Sequence, residues 1–494
     1  MMPDDDTCYG AMMRRDARFD GVFFTTVKTT GVYCRPICPA PKSKRINCRF
    51  VPSAAAAESM GFRACQRCRP ESAPGSPAWL GVGATLARAL RLIEEGALDN
   101  GSVDGLAERL GIGGRHLRRL FTDHLGASPK AVAQTHRLHL ARRLVENTAL
   151  PMPDVAAAAG FGSVRRFNDA FSQTFHETPS ARRRHGPARR RRRPDSHPAE
   201  EAASFHIHLS LATRPPFDVD HLFAFLGARA IAGVETGDAQ GYARVLRTGG
   251  GPTVLRVAPL TVVPGSTGPG AGVEAWIWLT QAQALRGVIQ QVRHIFDLDA
   301  DSTVIDETLA GDALLGPATA ARPGIRVPGG PDPFEFTVRA VVGQQISVKG
   351  ARTIAARLVA RLGRPLPVAL AGAVPGLERS FPTPEDMIRG DLDGLGLTTR
   401  RVATLKAVAG AFLASAPGLP DLQSIPGIGP WTAHYVAMRA LGDPDAFPDK
   451  DLGLLKALGL DAKGGGALMA QAEQWRPYRA YAAIRLWQSL EVAP

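Results

Sequence analysis

The sequence lacks three features, and each absence excludes a class of protein or of chemistry. No apolar run approaches the roughly 18 residues that a membrane-spanning helix needs. The acidic start, Met1–Asp6, has no secretory hydrophobic region, so we expect a cytoplasmic protein. No cysteine follows Cys68 in a chain of 494 residues. Because disulfides are unexpected in a reducing compartment, the clustering of all six cysteines near the start indicates metal binding or reactive thiol chemistry.

Net charge is missing from the larger part of the chain. Residues 1–200 contain 32 Lys+Arg and 19 Asp+Glu, a net charge of +13, whereas residues 201–494 contain 27 of each. The basic excess predicts a polyanionic partner for the first part. Nucleic acid is favoured over a membrane surface, because no amphipathic anchor or lipidation motif accompanies the charge.

Composition and periodicity predict a multidomain protein with three or four domains. Pro70–Pro77 is a predicted linker, and eight arginines within the twelve positions Arg182–Arg193 form a second, solvated one. Residues 79–185 have helical periodicity, and the chain is helical again from about Asp332. Between them, alternating apolar residues predict an antiparallel sheet with strands at Phe205–Leu209, Tyr242–Leu246, Val254–Val257 and Val273–Leu279, and helices at Val219–Arg229 and Ala282–Phe296.

Four cysteines have the spacing of a metal site. Cys34-x3-Cys38 and Cys65-x2-Cys68 are two chelating pairs separated by 26 residues. Four thiolates around Zn(II) complete a tetrahedral site and help a small domain to fold. Spacing alone favours a purely structural zinc, because closed four-cysteine sites usually have that role.

The residues around these cysteines point to a specific chemistry. Thr29–Ala40 and Gly61–Pro70 closely resemble the N-terminal domain of the Ada adaptive-response regulators. The resemblance implies that zinc keeps the cysteines as thiolates and that Cys34 irreversibly accepts a methyl group from a DNA methylphosphotriester. Methylation changes the formal charge of the centre from −2 to −1, which weakens its repulsion of phosphate and makes the repair event a signal. Cys8 and Cys48 fall outside the pattern.

Two helix-turn-helix patterns follow within the basic segment. Each second helix has an apolar stripe on one face and arginines on the other, which indicates DNA contact rather than a merely solvated basic face. The two patterns are Val103–Leu110 with Arg115–Phe121, and Met152–Ala159 with Val164–Phe171, and the predicted DNA-facing residues are Arg115, Arg118, Arg165 and Arg166.

The second pattern resembles a known class of regulator. Gly160–Ser163 through Thr178-Pro179 is similar to the signature of AraC-type transcription regulators, which implies binding to promoter DNA and RNA polymerase as a further partner. Ada proteins usually end in an O6-methylguanine methyltransferase with a Pro-Cys-His-Arg motif. Because no cysteine follows Cys68, we expect this sequence to lack that activity.

The last part of the chain contains a glycine hairpin, Ile425–Ala433, with the sequence Ile-Pro-Gly-Ile-Gly-Pro-Trp-Thr-Ala. Gly427 and Gly429 allow a tight turn, and Pro430 is suited to the first position of the next helix. The backbone N–H groups of such a turn form an anion site. A half with no net charge therefore still has a predicted way to bind DNA phosphate.

This segment resembles the AlkA-type 3-methyladenine DNA glycosylases of the helix-hairpin-helix superfamily. The likeness runs from about Leu209 to Leu490 and includes Pro215–Asp218, Gly227–Ala230, Val234–Thr236, Ala321–Gly324, Val342–Ser347 and Phe381–Pro384. It assigns the catalytic carboxylate to Asp451, twenty residues after Trp431, with Asp449 as the competing candidate, whose alternative role is helix capping. Superfamily members that also nick DNA have a lysine where this chain has Trp431, so we predict a monofunctional glycosylase.

The same resemblance assigns a pocket for the flipped base. Trp431 and Tyr435 are four residues apart on one helix face, and with Phe225 and Trp487 they match the aromatic pocket of the family. Electron-rich rings favour a cationic alkylpurine, although core packing is the alternative for any one aromatic residue. Gln345 occupies the place of the residue that fills the vacated base stack, where AlkA-type enzymes often have an apolar side chain.

We therefore predict an Ada–AlkA fusion that repairs alkylated DNA, associates with the nucleoid and activates transcription of repair genes. The alternative is a DNA-binding regulator whose glycosylase-like half is inactive. The fold classes expected in chain order are a small zinc-bound α+β domain, an all-α double helix-turn-helix, an antiparallel α+β domain and an all-α helix-hairpin-helix domain. The predicted segments are 1–75 (zinc domain), 79–185 (helix-turn-helix), 186–204 (linker), 205–325 (AlkA-type sheet domain) and 326–494 (glycosylase).

Overall fold

The computed structural model describes most of the chain. The described residues are 2–65, 67–68, 70, 84–185, 205–260, 271–415, 419–461 and 464–492. The predicted linker residues 71–77 and 186–204 lie outside them. Arg182–Arg184, also predicted as solvated linker, instead belong to the helix Pro179–His185, in which Arg182 pairs with Glu146 and Glu177. The chain folds as two compact units, Met1–Pro215 with Pro259–Gln290 and Leu298–Asp301, and Pro216–Ala258 with Gln291–Asp297 and Ser302–Pro494.

The first unit begins with a small α+β module. Its four-stranded sheet has the order β3-β1-β2-β4, and only the β2–β4 pair is parallel. Asp4 caps the first helix, and Phe23 and Phe50 pack edge to face beneath it. The elements are α1 (Asp5–Arg14), β1 (Phe24–Val27), β2 (Val32–Cys34), β3 (Cys48–Val51), α2 (Ala54–Ser59) and β4 (Arg63–Ala64).

A helical module follows in the same unit. The helices are α3 (Ala84–Glu94), α4 (Val103–Arg109), α5 (Gly114–Leu125), α6 (Pro129–Asn147), α7 (Met152–Ala158), α8 (Val164–Phe175) and α9 (Pro179–His185). Leu117 and Phe121 of α5, and Phe167 and Phe171 of α8, are fully buried, as the apolar stripes predict. The long helix α6 joins the two helix-turn-helix pairs, α4–α5 and α7–α8.

The remaining strands are antiparallel. In the first unit β5 (Phe205–Ala212) pairs with β9 (Gly272–Leu279) along its full length. In the second unit β6 (Glu235–Asp238), β7 (Gly241–Thr248) and β8 (Gly251–Pro259) form successive hairpins. The four predicted strands lie within β5, β7, β8 and β9. The structure adds β6, which the alternation did not reveal, because this strand is short and contains Gly237.

Helices make up most of the second unit. The segment predicted as one helix at Ala282–Phe296 begins as a 3-10 turn, Ala282–Ala284, before the α-helix starts. The described helices of the whole chain include none that is long and apolar enough to cross a membrane. The helices after β5 are α10 (Val219–Ala228), α11 (Leu285–Ile295), α12 (Ser302–Ala310), α13 (Gly316–Ala321), α14 (Pro333–Gly343), α15 (Val348–Leu362), α16 (Pro384–Arg389), α17 (Thr399–Ser415), α18 (Pro430–Ala440), α19 (Leu452–Ala457), α20 (Gly465–Ala472) and α21 (Arg479–Val492).

Candidate functional sites

The structure brings Cys34, Cys38, Cys65 and Cys68 together in the first unit. Their sulfur atoms all lie within 4.8 Å of one another, and those of Cys38 and Cys65 are 4.0 Å apart. Tetrahedral Zn(II) with Zn–S bonds of about 2.3 Å requires sulfurs about 3.8 Å apart, so the four side chains fit the ion. Two backbone hydrogen bonds shape the site: Cys38 N donates to Arg35 O, and Cys65 N donates to Tyr33 O.

Burial and mutual hydrogen bonding make this cluster unfavourable without a cation. Cys34 is 9% exposed and Cys68 is fully buried. Hydrogen bonding with Cys38 raises the pKa of the Cys34 thiol, whereas hydrogen bonding with Cys34 lowers the pKa of Cys65. Thiols this close cannot all ionise by themselves, and a divalent metal ion removes that conflict.

A buried arginine lies beside the centre. The Arg35 guanidinium is fully buried, forms a salt bridge with Asp20 and donates to Cys68 O at 3.1 Å. The Arg35 backbone N–H also donates to the Cys68 sulfur at 3.4 Å. The backbone N–H stabilises negative charge on the Cys68 sulfur, whereas the guanidinium is paired with Asp20 and orders the backbone around the site.

The other two cysteines have a different environment. Cys8 and Cys48 are buried in an apolar cluster with Phe23 and Phe50. Burial raises the pKa of Cys8 to about 12, and it also raises the pKa of Cys48. Thiols in this state are poor nucleophiles and poor ligands, so these two residues have a packing role.

The predicted DNA-facing arginines lie on the exposed faces of α5 and α8. Arg115, Arg165 and Arg166 are exposed, and the α8 N-terminus is capped by Ser163, which accepts from Arg166 N. Arg118 is also exposed, but its guanidinium is 3.1 Å from the Asp104 carboxylate. Three of the four arginines therefore present their charge to solvent more directly than Arg118 does.

In the second unit, the two hairpin glycines have different roles. Gly427 has a φ of 91°, and a Cβ at this position would overlap Thr404 Oγ1 of α17, so the fold requires glycine here. A Cβ on Gly429 would meet no atom within 4 Å. Gly429 begins α18 without a side-chain cap, with Pro430 in the first turn. The open space and uncapped N–H groups suit the close approach of a phosphate.

Asp451 lies at the start of α19 and is itself the helix cap. Its Oδ1 atom accepts from the backbone N–H groups of Gly453 and Leu454, at 2.9 and 3.1 Å. The indole N–H of Trp487 donates to the same oxygen at 2.9 Å, and that of Trp431 donates to Oδ2 at 3.0 Å. The capping role considered for Asp449 thus belongs to Asp451, whose carboxylate plane is held by four donors.

Two of the four predicted pocket aromatics, Trp431 and Trp487, donate to this carboxylate, and Tyr435 packs against both of their rings. The rings of Trp431 and Tyr435 are stacked, with centroids 5.5 Å apart and planes inclined by 12°. The ring centroids of Tyr435 and Trp487 are 6.3 Å apart. Phe225 is 3% exposed, and its ring lies against Arg229, whose guanidinium carbon is 3.6 Å from the ring centroid. Phe225 therefore already has a cation against its ring.

Sequence reasoning missed a buried arginine in this region. Arg439 of α18 is 2% exposed, and its guanidinium lies 4.9 Å from the Phe225 ring centroid and 5.6 Å from that of Tyr435. It donates to the Tyr435 hydroxyl at 3.0 Å and to Pro328 O. Burial lowers the pKa of Arg439 to about 10, so it stays charged at neutral pH. The i, i+4 spacing from Tyr435 was the available signal.

Gln345 lies at an exposed turn between α14 and α15 and has a φ of 55°. The neighbouring Gln344 fastens this turn to the hairpin: its side-chain amide donates to Gly427 O and to Thr432 Oγ1, both at 3.2 Å. Gln345 is thus held in a left-handed conformation that few non-glycine residues adopt, next to the predicted phosphate site.

Three family models match the chain. The metal binding domain of Ada matches residues 7–71, a helix-turn-helix domain matches residues 106–185, and the AlkA N-terminal domain matches residues 208–332. The chain is also similar to the probable bifunctional transcriptional activator/DNA repair enzyme AlkA of Mycobacterium tuberculosis. Their alignment spans 505 positions, over which the two are 41% identical, and it covers 99% of this chain and 97% of the relative. The chain belongs to this bifunctional Ada–AlkA family.

Two further relatives each match one part of the chain. DNA-3-methyladenine glycosylase 2 of Escherichia coli is 31% identical over 295 residues, 56% of this chain and 96% of that protein. The bifunctional transcriptional activator/DNA repair enzyme Ada of Escherichia coli is 37% identical over 145 residues, 29% of this chain and 39% of that protein.

Family membership and the cysteine geometry confirm several predictions. The predicted fold classes and the Ada–AlkA resemblance are confirmed, and so is the Zn(II) centre. The helix-turn-helix match confirms DNA as a partner. RNA polymerase as a partner, the roles of individual site residues and the five segment boundaries stay predictions.

Proposed function

We propose that this Ada–AlkA protein excises 3-methyladenine-type bases through Asp451, accepts methyl groups from DNA methylphosphotriesters on Cys34, and activates transcription of repair genes. The observation that carries the excision proposal is the Asp451 carboxylate, fixed by two indole N–H groups and a helix N-terminus beside stacked aromatic rings. The partners of this carboxylate come from three separate helices, α18, α19 and α21.

The proposed excision needs little help for the leaving group. Alkylation at N3 or N7 gives the purine a positive charge, so the C1′–N bond breaks with its electron pair moving to the base. Positive charge then develops on the sugar, and a fixed carboxylate stabilises it without reorganisation. Oδ1 of Asp451 accepts from three donors and Oδ2 from one, so Oδ2 is the oxygen suited to face the sugar and orient water.

Excision is proposed to stop at the abasic site. Trp431 stands two residues after Gly429, where strand-nicking relatives in the superfamily have a lysine. Without an amine at this position no Schiff base forms with the sugar, so the strand stays intact. The specific 3-methyladenine glycosylase II type of activity is part of this proposal.

The proposed methyl transfer is a direct displacement. The Cys34 sulfur attacks the methyl carbon, an S–C bond forms, and the C–O bond of the methyl ester breaks, leaving a phosphodiester anion. Zn(II) bound by the four cysteines keeps the sulfurs ionised at neutral pH. The neighbouring Arg35–Asp20 pair holds the turn that follows Cys34.

The excision proposal is tested by release of 3-methyladenine from methylated duplex DNA. Asp451→Asn is the most informative variant. Asparagine is also a good helix cap, so this substitution removes the charge with little effect on α19. Asp449→Asn is the matched control. We expect release by the wild type and by the control, and release at least about 100-fold slower by Asp451→Asn. No release by the wild type favours the alternative of a regulator with an inactive glycosylase-like half.

A further inference from the structure

A largely buried hydrogen-bond cluster lies next to the four-cysteine centre but uses none of its ligands. We call Tyr33, Glu58, Thr135 and His139 the Glu58 cluster. The Tyr33 hydroxyl donates to Glu58 Oε1 at 2.8 Å, and the Thr135 hydroxyl donates to Oε2 at 2.5 Å. His139 Nε2 lies 3.1 Å from Glu58 Oε1 and 3.0 Å from the Tyr33 hydroxyl. Burial raises the pKa of Glu58, but His139, Thr135 and Tyr33 outweigh it and keep the pKa below its usual value.

The cluster joins residues that are far apart in the sequence. Tyr33 directly precedes Cys34 on β2 and is fully buried, while Glu58 belongs to α2. Thr135 and His139 lie one turn apart on α6, the helix between the two helix-turn-helix pairs. The Glu58 carboxylate is thus a direct link between the strand of the proposed methyl acceptor and the helix that spaces the two DNA-reading helices.

Two more contacts join the cysteine-bearing module to α5 and α8, the helices predicted to bind DNA. The Ser53 hydroxyl donates to the carbonyl of Leu125, the last residue of α5, at 2.7 Å. Phe175, the last residue of α8, packs against the apolar cluster that contains Phe24 and Tyr33. The module that carries the cysteines therefore contacts α5, α6 and α8.

We propose that the Glu58 cluster transmits methylation of Cys34 to α6, and so changes the relative placement of α5 and α8. The inference rests on the proposed acceptor role of Cys34. Cys34 is 9% exposed, so a methyl group added to its sulfur needs space, which a shift of β2 would provide. Tyr33 moves with that strand, and a buried carboxylate that loses a donor is destabilised until its partners rearrange. Methylation then acts through helix geometry as well as through charge.

Hydrogen exchange of the full-length zinc-loaded protein, measured without DNA present, separates the two effects. The protein is first incubated with duplex DNA bearing methylphosphotriesters, and peptide mass spectrometry locates the added mass of about 14 Da. We expect exchange in α6 to change about fivefold or more in the wild type, the lower end of common coupling strengths. Tyr33→Phe removes one hydroxyl from the cluster and should reduce that change below about twofold at equal methyl uptake.

Two further variants control for general effects. Thr135→Val removes a donor from the α6 side of the cluster and should reduce the response in the same way. Tyr9→Phe removes a hydroxyl from the same module but outside the cluster, where it lies 3.5 Å from Ser43 O, and should keep the wild-type response.

Three results would overturn the inference. In the first, the wild type gains 14 Da on Cys34 and exchange in α6 stays unchanged, which leaves charge as the only signal. In the second, Tyr33→Phe and Thr135→Val respond as the wild type does. In the third, no mass is added to Cys34 of the wild type, which refutes the acceptor role on which the inference rests.

Discussion

Asp451 combines two tasks that different substitutions separate. It caps α19 through Gly453 and Leu454, and it holds the charge proposed to stabilise the sugar cation. Asp451→Ala removes both, whereas Asp451→Asn keeps the cap but removes the charge and, because an amide nitrogen cannot accept, the acceptor of the Trp431 indole N–H. We expect both variants to lose about 100-fold to 1000-fold in the rate of excision, the usual effect of deleting one fixed electrostatic contact in an active site.

Stability should distinguish the two variants. Losing the cap costs about 0.5–2 kcal/mol, and each of the two indole N–H groups that loses its acceptor adds about 0.5–1.5 kcal/mol. Asp451→Ala is therefore expected to lower the free energy of unfolding by about 1.5–5 kcal/mol, and Asp451→Asn, which leaves only the Trp431 indole without an acceptor, by about 0.5–1.5 kcal/mol. The side chains are half-buried, so water partly replaces the lost partners and the lower end of both ranges is favoured.

Two measurements on the same preparations check this. The rate of excision is measured as single-turnover release of 3-methyladenine. Stability is measured by urea unfolding for the whole protein and by hydrogen exchange of residues 452–457 for α19. The reasoning is refuted if Asp451→Asn keeps excision within about tenfold of the wild type. It is also refuted if the two variants unfold alike, because the cap then contributes nothing.

Three more outcomes are expected. Cys34→Ala should abolish methyl uptake from phosphotriesters and leave excision intact, and uptake that persists in this variant would place the acceptor elsewhere. Gly427→Ala should destabilise the second unit, whereas Gly429→Ala should keep its stability and weaken DNA binding; equal melting temperatures for the two would contradict the clash with α17. Arg165→Ala should reduce the slope of log binding constant against log salt concentration by about 0.9. Arg118→Ala should reduce this slope less, because Asp104 already pairs with Arg118. Identical slopes for the two variants would contradict that difference.

The sequence predicted those parts of the site that depend on local spacing. The cysteine pairs, the buried stripes of α5 and α8, and the hairpin were all recognisable, because each places its chemistry within a few residues. Asp451 and its aromatic neighbours came from resemblance to a family, since Trp431 and Trp487 reach the carboxylate from separate helices.

The features that the sequence did not reveal depend on contacts between residues that are far apart in the chain. Glu58 meets Thr135 across 77 positions, and no local pattern marks either residue. Phe225 was predicted as part of the aromatic pocket, but its contacts with Arg229 and Arg439 were not predicted, because only the fold brings these residues to its ring. Strand β6 escaped notice because pairing with β7, rather than its own composition, makes it a strand.

The charge of Arg439 bears on how the proposed pocket would distinguish alkylated bases from normal ones. A permanent positive group among the rings disfavours any second cation that enters, so a charged lesion gains less from those rings than an empty aromatic cage would give it. Intact purines are neutral and escape that repulsion. We therefore expect discrimination to occur at bond cleavage rather than at binding. Many bases would enter the pocket, and only those whose glycosidic bond is already weak would be excised.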